Sequence, residues 1–154
     1  MTRYLIVGNG VAGTTAAEHL RKQDAQGEIT LITDEDLPFY WRIQLNDLIA
    51  GEIPEEKLLA KNKTWYDDNR IQLLLETRMT GADPQSRTLT SAGGETYAYD
   101  TLLVATGSHS FVPPIQGSDK DGVFTLRNVA DARSIRSRAE GIQEVVLIGG
   151  GLLG

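Results

Sequence analysis

Six residues near the amino terminus, Gly8-Asn9-Gly10-Val11-Ala12-Gly13, have the types and spacing to hold a diphosphate. In a G-x-G-x-x-G turn the first glycine makes the sharp bend, the second lets an anion approach the backbone, and the third lets a following helix pack close to a preceding strand. Free N–H groups and the positive dipole end of that helix then face the phosphates. Asp34 and Glu35 follow about twenty residues later, where a carboxylate accepting both hydroxyls of a ribose belongs. One of the pair is expected to bind and the other to be a solvated turn residue, with Glu35 favoured. Arg42 sits in an aromatic stretch, Phe39-Tyr40-Trp41, and could lie against a pyrophosphate or stack on a planar ring, or be a surface arginine on a packed loop. A second G-x-G-x-x-G, Gly149-Gly150-Gly151-Leu152-Leu153-Gly154, closes the sequence.

These residues need elements to position them. Tyr4 to Val7 is a continuous apolar run, as in a strand buried on both faces of a parallel sheet. Thr14 to Asp24 reads as a helix with Ala12, Ala16, Ala17 and Leu20 on one face. Glu28 to Thr33, Ile71 to Leu75, and Thr101 to Ala105 read as further parallel strands, expected in the order Ile71–Leu75, Ile29–Thr33, Tyr4–Val7, Thr101–Ala105. Short helices are expected at Asn46 to Ala50 and Thr64 to Asn69, where Trp65 and Tyr66 read as core. Between Arg78 and Tyr99 the period changes to alternation, with Asp83-Pro84 and Gly93-Gly94 as the turns of an antiparallel meander. Asn128, with Asp131 three residues on, caps a helix to about Arg138. Glu144 to Ile148 is expected as a last strand. The whole reads as α/β: a Rossmann-like parallel sheet with helices on both faces and a small meander.

Composition narrows the function. The chain has 154 residues, a net charge of −6 and no basic block, which argues against nucleic acid. No apolar run approaches the ~20 residues of a membrane span, and no secretory leader precedes Tyr4. A cytoplasmic protein is the expectation. Cysteine is absent, so disulfides, thiolate metal sites and redox-active Cys pairs are excluded within these residues. His19 and His109 stand apart, with no metal-ligand spacing.

The ordered set, from Gly8–Gly13 through the acid pair, Pro38-Phe39-Tyr40-Trp41-Arg42 and Ala105-Thr106-Gly107 to Gly149–Gly154, resembles the FAD-dependent pyridine nucleotide–disulfide oxidoreductases along essentially the whole chain. Within them it looks most like the NADH:rubredoxin reductase and nitrite reductase large-subunit branch. The resemblance implies a flavin enzyme passing electrons from NAD(P)H through FAD to a redox acceptor, a small protein such as rubredoxin or a nitrite reductase-type centre. It places Gly8, Asn9, Gly10, Val11, Ala12, Gly13, Asp34 or Glu35, Arg42, Met79, Ala105, Thr106 and Gly107 at FAD, and Gly149, Gly151 and Gly154 at the start of an NAD(P)H domain. Residues 1–117 would be the first part of the FAD domain, and 118–154 a linker helix leading into the next. The sequence is thus expected to be an N-terminal piece of a longer enzyme, inactive by itself. Self-association as a dimer is left open.

Two departures qualify that expectation. No cysteine lies near Arg42 to Asp47, which removes a disulfide-reductase mechanism. Oxygenase-coupled ferredoxin reductases usually place a lysine where Asp47 stands, which weakens a ferredoxin acceptor. The alternative is a non-catalytic adenine-dinucleotide-binding module, a sensor or scaffold. The sheet would expose Thr101–Ala105 at its edge, and Val145 to Ile148 is expected to add beside it.

Overall fold

Apolar β-branched runs separated by glycine and proline build a four-stranded parallel sheet in the computed structural model, which describes residues 1–150. Its strands are β1 (Arg3–Val7), β2 (Glu28–Ile32), β3 (Ile71–Leu74) and, later in the chain, β7 (Thr101–Val104), in the order β3-β2-β1-β7. This is the expected order. The register places Tyr4 beside Ile29 and Thr101, and Val7 beside Ile32 and Val104. The carboxyl ends of the three strands therefore finish level, and every loop that follows them leaves from one edge of the sheet.

Because strand side chains alternate, β1 feeds two cores. Ile6 packs with Ile29, Leu31 and Ile71 against Ala17 of α1 (Val11–Gln23) and Tyr66 of α3 (Lys63–Asp68). Leu5 faces the other way, with Ile32, and meets Leu89 and Tyr99. Leu89 belongs to the antiparallel meander β4 (Met79–Asp83), β5 (Thr88–Ser91) and β6 (Thr96–Ala98). The α/β class stands as expected. One face carries helices, while on the other the meander supplies the cover expected of a helix.

Two compact units result, one of Met1–Trp41 with Glu55–Ser108, the other joining Arg42–Pro54 to the residues from His109 onward. In the second unit a short 3-10 turn, Arg42–Gln44, leads into α2 (Leu45–Ala50), which packs on α4 (Val129–Ala139). Arg42, expected on a loop, opens this turn. The cap on α4 is as expected: Asn128 Oδ1 accepts from the Asp131 N–H at 2.9 Å, and Asp131 Oδ2 accepts from the Asn128 N–H at 3.1 Å.

Two expectations fail. Helix α1 starts at Val11 rather than Thr14, with Gly10 as its extended N-cap. Gly13, Thr14 and Ala17 are buried in consequence, and Ala12 turns to solvent. The last strand is absent as well. Residues 144–148 form no strand, and Val145 to Ile148 are 71% to 86% exposed. β7 ends the sheet order, so the expected addition of this segment beside Thr101–Ala105 does not occur. An apolar run has the propensity for a strand, but only a ladder with a partner satisfies its backbone groups.

Candidate dinucleotide site

The glycine turn lies where β1 hands over to α1, held from both sides. The Gly8 N–H donates to the Ile32 carbonyl at 2.7 Å, and the Ala105 N–H donates to the Val7 carbonyl at 2.7 Å. The second bond fastens the start of Ala105-Thr106-Gly107 to the glycine turn. Two motifs almost a hundred residues apart thus meet because β1 and β7 are neighbours.

The three glycines do different work. Gly8 has φ of +113°, and a Cβ there would lie 2.1 Å from the Ala105 carbonyl oxygen. A Cβ on Gly13 would lie 1.9 Å from the Gly8 carbonyl oxygen, so the close approach of helix to strand depends on its absence. Gly10 differs. Beyond its chain neighbours, no atom of the described residues lies within 4 Å of where its Cβ would be. The protein does not need a glycine there for its own packing, so the open space suits a ligand that must reach the backbone.

Gly10 offers no side-chain cap, and the first turn of α1 carries no acidic residue to compete with an anion. The first N–H groups of a helix have no intrahelical partner, and together with the dipole they attract negative charge. Asn9 adds a further donor. It is only 9% exposed, its Oδ1 accepts from Thr14 Oγ1 at 3.2 Å and from the Tyr66 hydroxyl at 2.9 Å, and its Nδ2 has no partner among the described residues. A buried donor left unpaired costs about 1–3 kcal/mol, so its presence beside the turn fits a bound acceptor. These are the features a dinucleotide diphosphate requires.

The acid pair separates. Asp34 is exposed, with Oδ2 3.9 Å from Arg78 Nη1 on the surface. Glu35 is half-buried; its backbone carbonyl accepts from the Glu76 N–H, and its Oε2 accepts a short bond from the Tyr40 hydroxyl. Glu35 is the acid that the fold holds in place.

The remaining expected residues fall as follows. Val11 and Ala12 open α1 and are exposed. Thr106 and Gly107 follow β7 and are exposed, Gly107 at φ of +71°. Met79 opens β4 and packs against the Leu5–Ile32–Leu89–Tyr99 core. In the second unit, Arg42 Nη1 donates to the Arg127 carbonyl at 2.8 Å. Gly149 has φ of +111°, and among the described residues nothing beyond its chain neighbours lies within 4 Å of where its Cβ would be. Gly151 and Gly154 lie outside the described residues.

Sequence reasoning took Tyr66 as core and missed its polar end. The ring is buried, but its hydroxyl both donates to Asn9 and accepts from the Phe39 N–H at 3.1 Å. No local pattern marks this, because Asn9 and Tyr66 are 57 positions apart.

A parallel sheet with an open glycine turn at a helix N-terminus and a fixed acid at the end of the second strand defines a dinucleotide-binding α/β protein. The chain belongs to the pyridine nucleotide-disulphide oxidoreductase family, whose model matches residues 2–154. Among curated relatives it is 37% identical over 150 residues to the biphenyl dioxygenase system ferredoxin–NAD(+) reductase component of Paraburkholderia xenovorans, covering 97% of this chain and 36% of the relative. It is 34% identical to the NADH-rubredoxin oxidoreductase of Clostridium acetobutylicum, covering 99% of this chain and 39% of the relative. The crystal structure of NADH:rubredoxin oxidoreductase from Clostridium acetobutylicum superposes with a TM-score of 0.82 at 30% identity, over 90% of this chain and 36% of that one. The chain therefore spans little more than a third of these relatives' length.

Proposed function

We propose that this chain forms the adenine-nucleotide half of the FAD site of an NAD(P)H oxidoreductase that delivers electrons to a small redox protein. The observation that carries the reading is the open Gly10 position beside the unpaired Asn9 Nδ2, at a helix end free of any competing acid. The N–H groups opening α1 receive the diphosphate, and Glu35 accepts the ribose hydroxyls while Tyr40 fixes its rotamer. Ala105-Thr106-Gly107, tied to the turn through Val7, borders the same cofactor. Met79 borders it as well, and Gly149, Gly151 and Gly154 begin the turn for the nicotinamide nucleotide. Residues 1–117 supply the flavin part and 118–154 the lead into the second domain.

When bound, the flavin supplies hydride acceptance from the nicotinamide and one-electron transfer onward. The chain contributes position and charge complementarity. It offers no thiol as an intermediate carrier, having no cysteine. The acceptor is proposed at the level of a small iron–sulfur or rubredoxin-type protein. Relatives named as ferredoxin reductases stand at 37%, 35% and 32% identity and rubredoxin reductases at 33% and 34%, so overall identity does not decide between them.

The test is reconstitution. The full-length protein should take up FAD with a flavin spectrum that bleaches on adding NADH or NADPH and returns when an electron acceptor is supplied. Tight binding of ADP or NAD with no uptake of FAD would instead favour the sensor or scaffold.

A further inference from the structure

Buried between the glycine turn and the loop after β2 runs a chain of directional hydrogen bonds. The Phe39 backbone N–H can only donate, and it does so to the Tyr66 hydroxyl oxygen. The phenol proton is thereby free to go on to Asn9 Oδ1, which also takes the Thr14 hydroxyl. With two donors on its oxygen, the Asn9 amide is fixed in one orientation, its Nδ2 turned away from both. Tyr66 is 1% exposed, Thr14 2% and Phe39 7%, so water does not compete with these bonds. Burial pushes the Tyr66 hydroxyl above the usual phenol range, which keeps it a neutral donor.

The far end of the network matters equally. The Phe39 carbonyl accepts from the Ala60 and Lys61 N–H groups, and the Trp41 N–H donates to the Leu58 carbonyl, so the loop is pinned at this point. Tyr40 lies between these anchors, and its hydroxyl holds Glu35.

We propose that Tyr66 is a positioning residue of the dinucleotide site, its hydroxyl joining the Asn9 amide of the glycine turn to the loop whose Tyr40 holds Glu35. It touches no ligand. It sets the distance between the part of the site that takes the diphosphate and the part that takes the ribose, and it does so through Asn9. The inference rests on reading the turn as the FAD diphosphate site.

The test is an FAD titration of the apoprotein, followed by flavin fluorescence, with unfolding midpoints measured on the same ligand-free samples. Tyr66→Phe keeps the ring and removes only the link. It should raise the FAD dissociation constant about tenfold, the size expected when one buried hydrogen-bond partner is lost. In an Asn9→Ala background the link is already cut, so Tyr66→Phe should add less than about twofold. A merely structural tyrosine would lower the unfolding midpoint and leave the dissociation constant alone, and that result overturns the proposal. Additive losses in the two backgrounds also overturn it, since Tyr66 would then not act through Asn9. Should Tyr66→Phe not fold, Asn9→Ala alone removes the residue through which Tyr66 acts, and an unchanged dissociation constant there is equally fatal. A wild-type protein that binds no FAD refutes the underlying reading, and the proposal falls with it.

Discussion

At the scale of single residues, the three glycines of the turn separate ligand binding from folding. A Cβ at Gly10 meets no described atom within 4 Å beyond its chain neighbours, whereas one at Gly13 lies 1.9 Å from the Gly8 carbonyl oxygen. Gly10→Val should therefore leave the urea unfolding midpoint nearly unchanged and abolish FAD uptake, because the branched side chain fills the space the diphosphate needs. Gly13→Ala should do the reverse first. It forces α1 away from β1 and should cost about 1–3 kcal/mol or more of stability, the range for overpacking a tight contact. If Gly10→Val retains normal flavin affinity, this turn is not the diphosphate site. Glu35 gives a graded test. Its carboxylate is pre-set by Tyr40, so Glu35→Ala should weaken FAD binding by about 1.5–3 kcal/mol, as for hydrogen bonds to a charged group. Asp34→Ala, on the surface beside Arg78, should have little effect in the same titration; equal losses for both would remove the distinction drawn between the acids.

At the scale of elements, strand order and meander were legible because each strand carries its own pattern, continuous apolar runs for the sheet and alternation for β4 to β6. The start of α1 was not, since the helix begins on a glycine whose N-cap role leaves no side-chain signal. Of the site, the glycine turn and the acid pair could be read from spacing, and the choice of Glu35 could be leaned towards. The link through Tyr66 could not, because only the fold brings Asn9 and Tyr66 together. Residues 144–148 show the opposite error, an apolar strand pattern with no ladder to join. The pairing of β1 with β7 has a polar clasp at its beginning, and this gives a pH prediction. The Arg3 backbone N–H and guanidinium donate to the Asp100 carboxylate, and the Asp100 N–H donates back to the Arg3 carbonyl at 2.9 Å. The Arg3 side chain first, and its backbone N–H next, hold the Asp100 carboxyl at about 2, below its ordinary 3.8. A depressed carboxyl stabilises the fold fully above its unfolded value and loses that contribution as pH falls through its folded one. Asp100→Asn should therefore flatten the loss of stability between about pH 4 and pH 2, and leave the shape of the profile above that window unchanged. Asp24 and Asp83 are also held low, by backbone N–H groups for Asp24 and by Ser86 for Asp83, so some acid dependence will persist. An acid limb of identical slope in the variant would show that this clasp does not contribute.

At the scale of the whole molecule, the sheet order β3-β2-β1-β7 leaves one side of β7 without a neighbouring strand among the described residues. Leu103 and Val104 on it are 38% and 65% exposed. An unpaired apolar edge offers its N–H and C=O groups, together with its side chains, to any chain that meets it, and natural sheets commonly blunt such edges with charge. No charged side chain interrupts Thr101 to Ala105. The 154-residue chain should accordingly self-associate at rising concentration, with increasing light scattering and binding of a hydrophobic dye. Val104→Lys places a charge at the most exposed apolar position of this strand. It should suppress the association and leave the unfolding midpoint of the dilute protein close to that of the wild type. The exposed apolar residues 145–148 provide the control, because they are a second sticky surface that forms no strand. Val146→Lys should reduce dye binding but leave association through β7 in place. If Val146→Lys abolishes association and Val104→Lys does not, the sheet edge is not where copies of this chain meet.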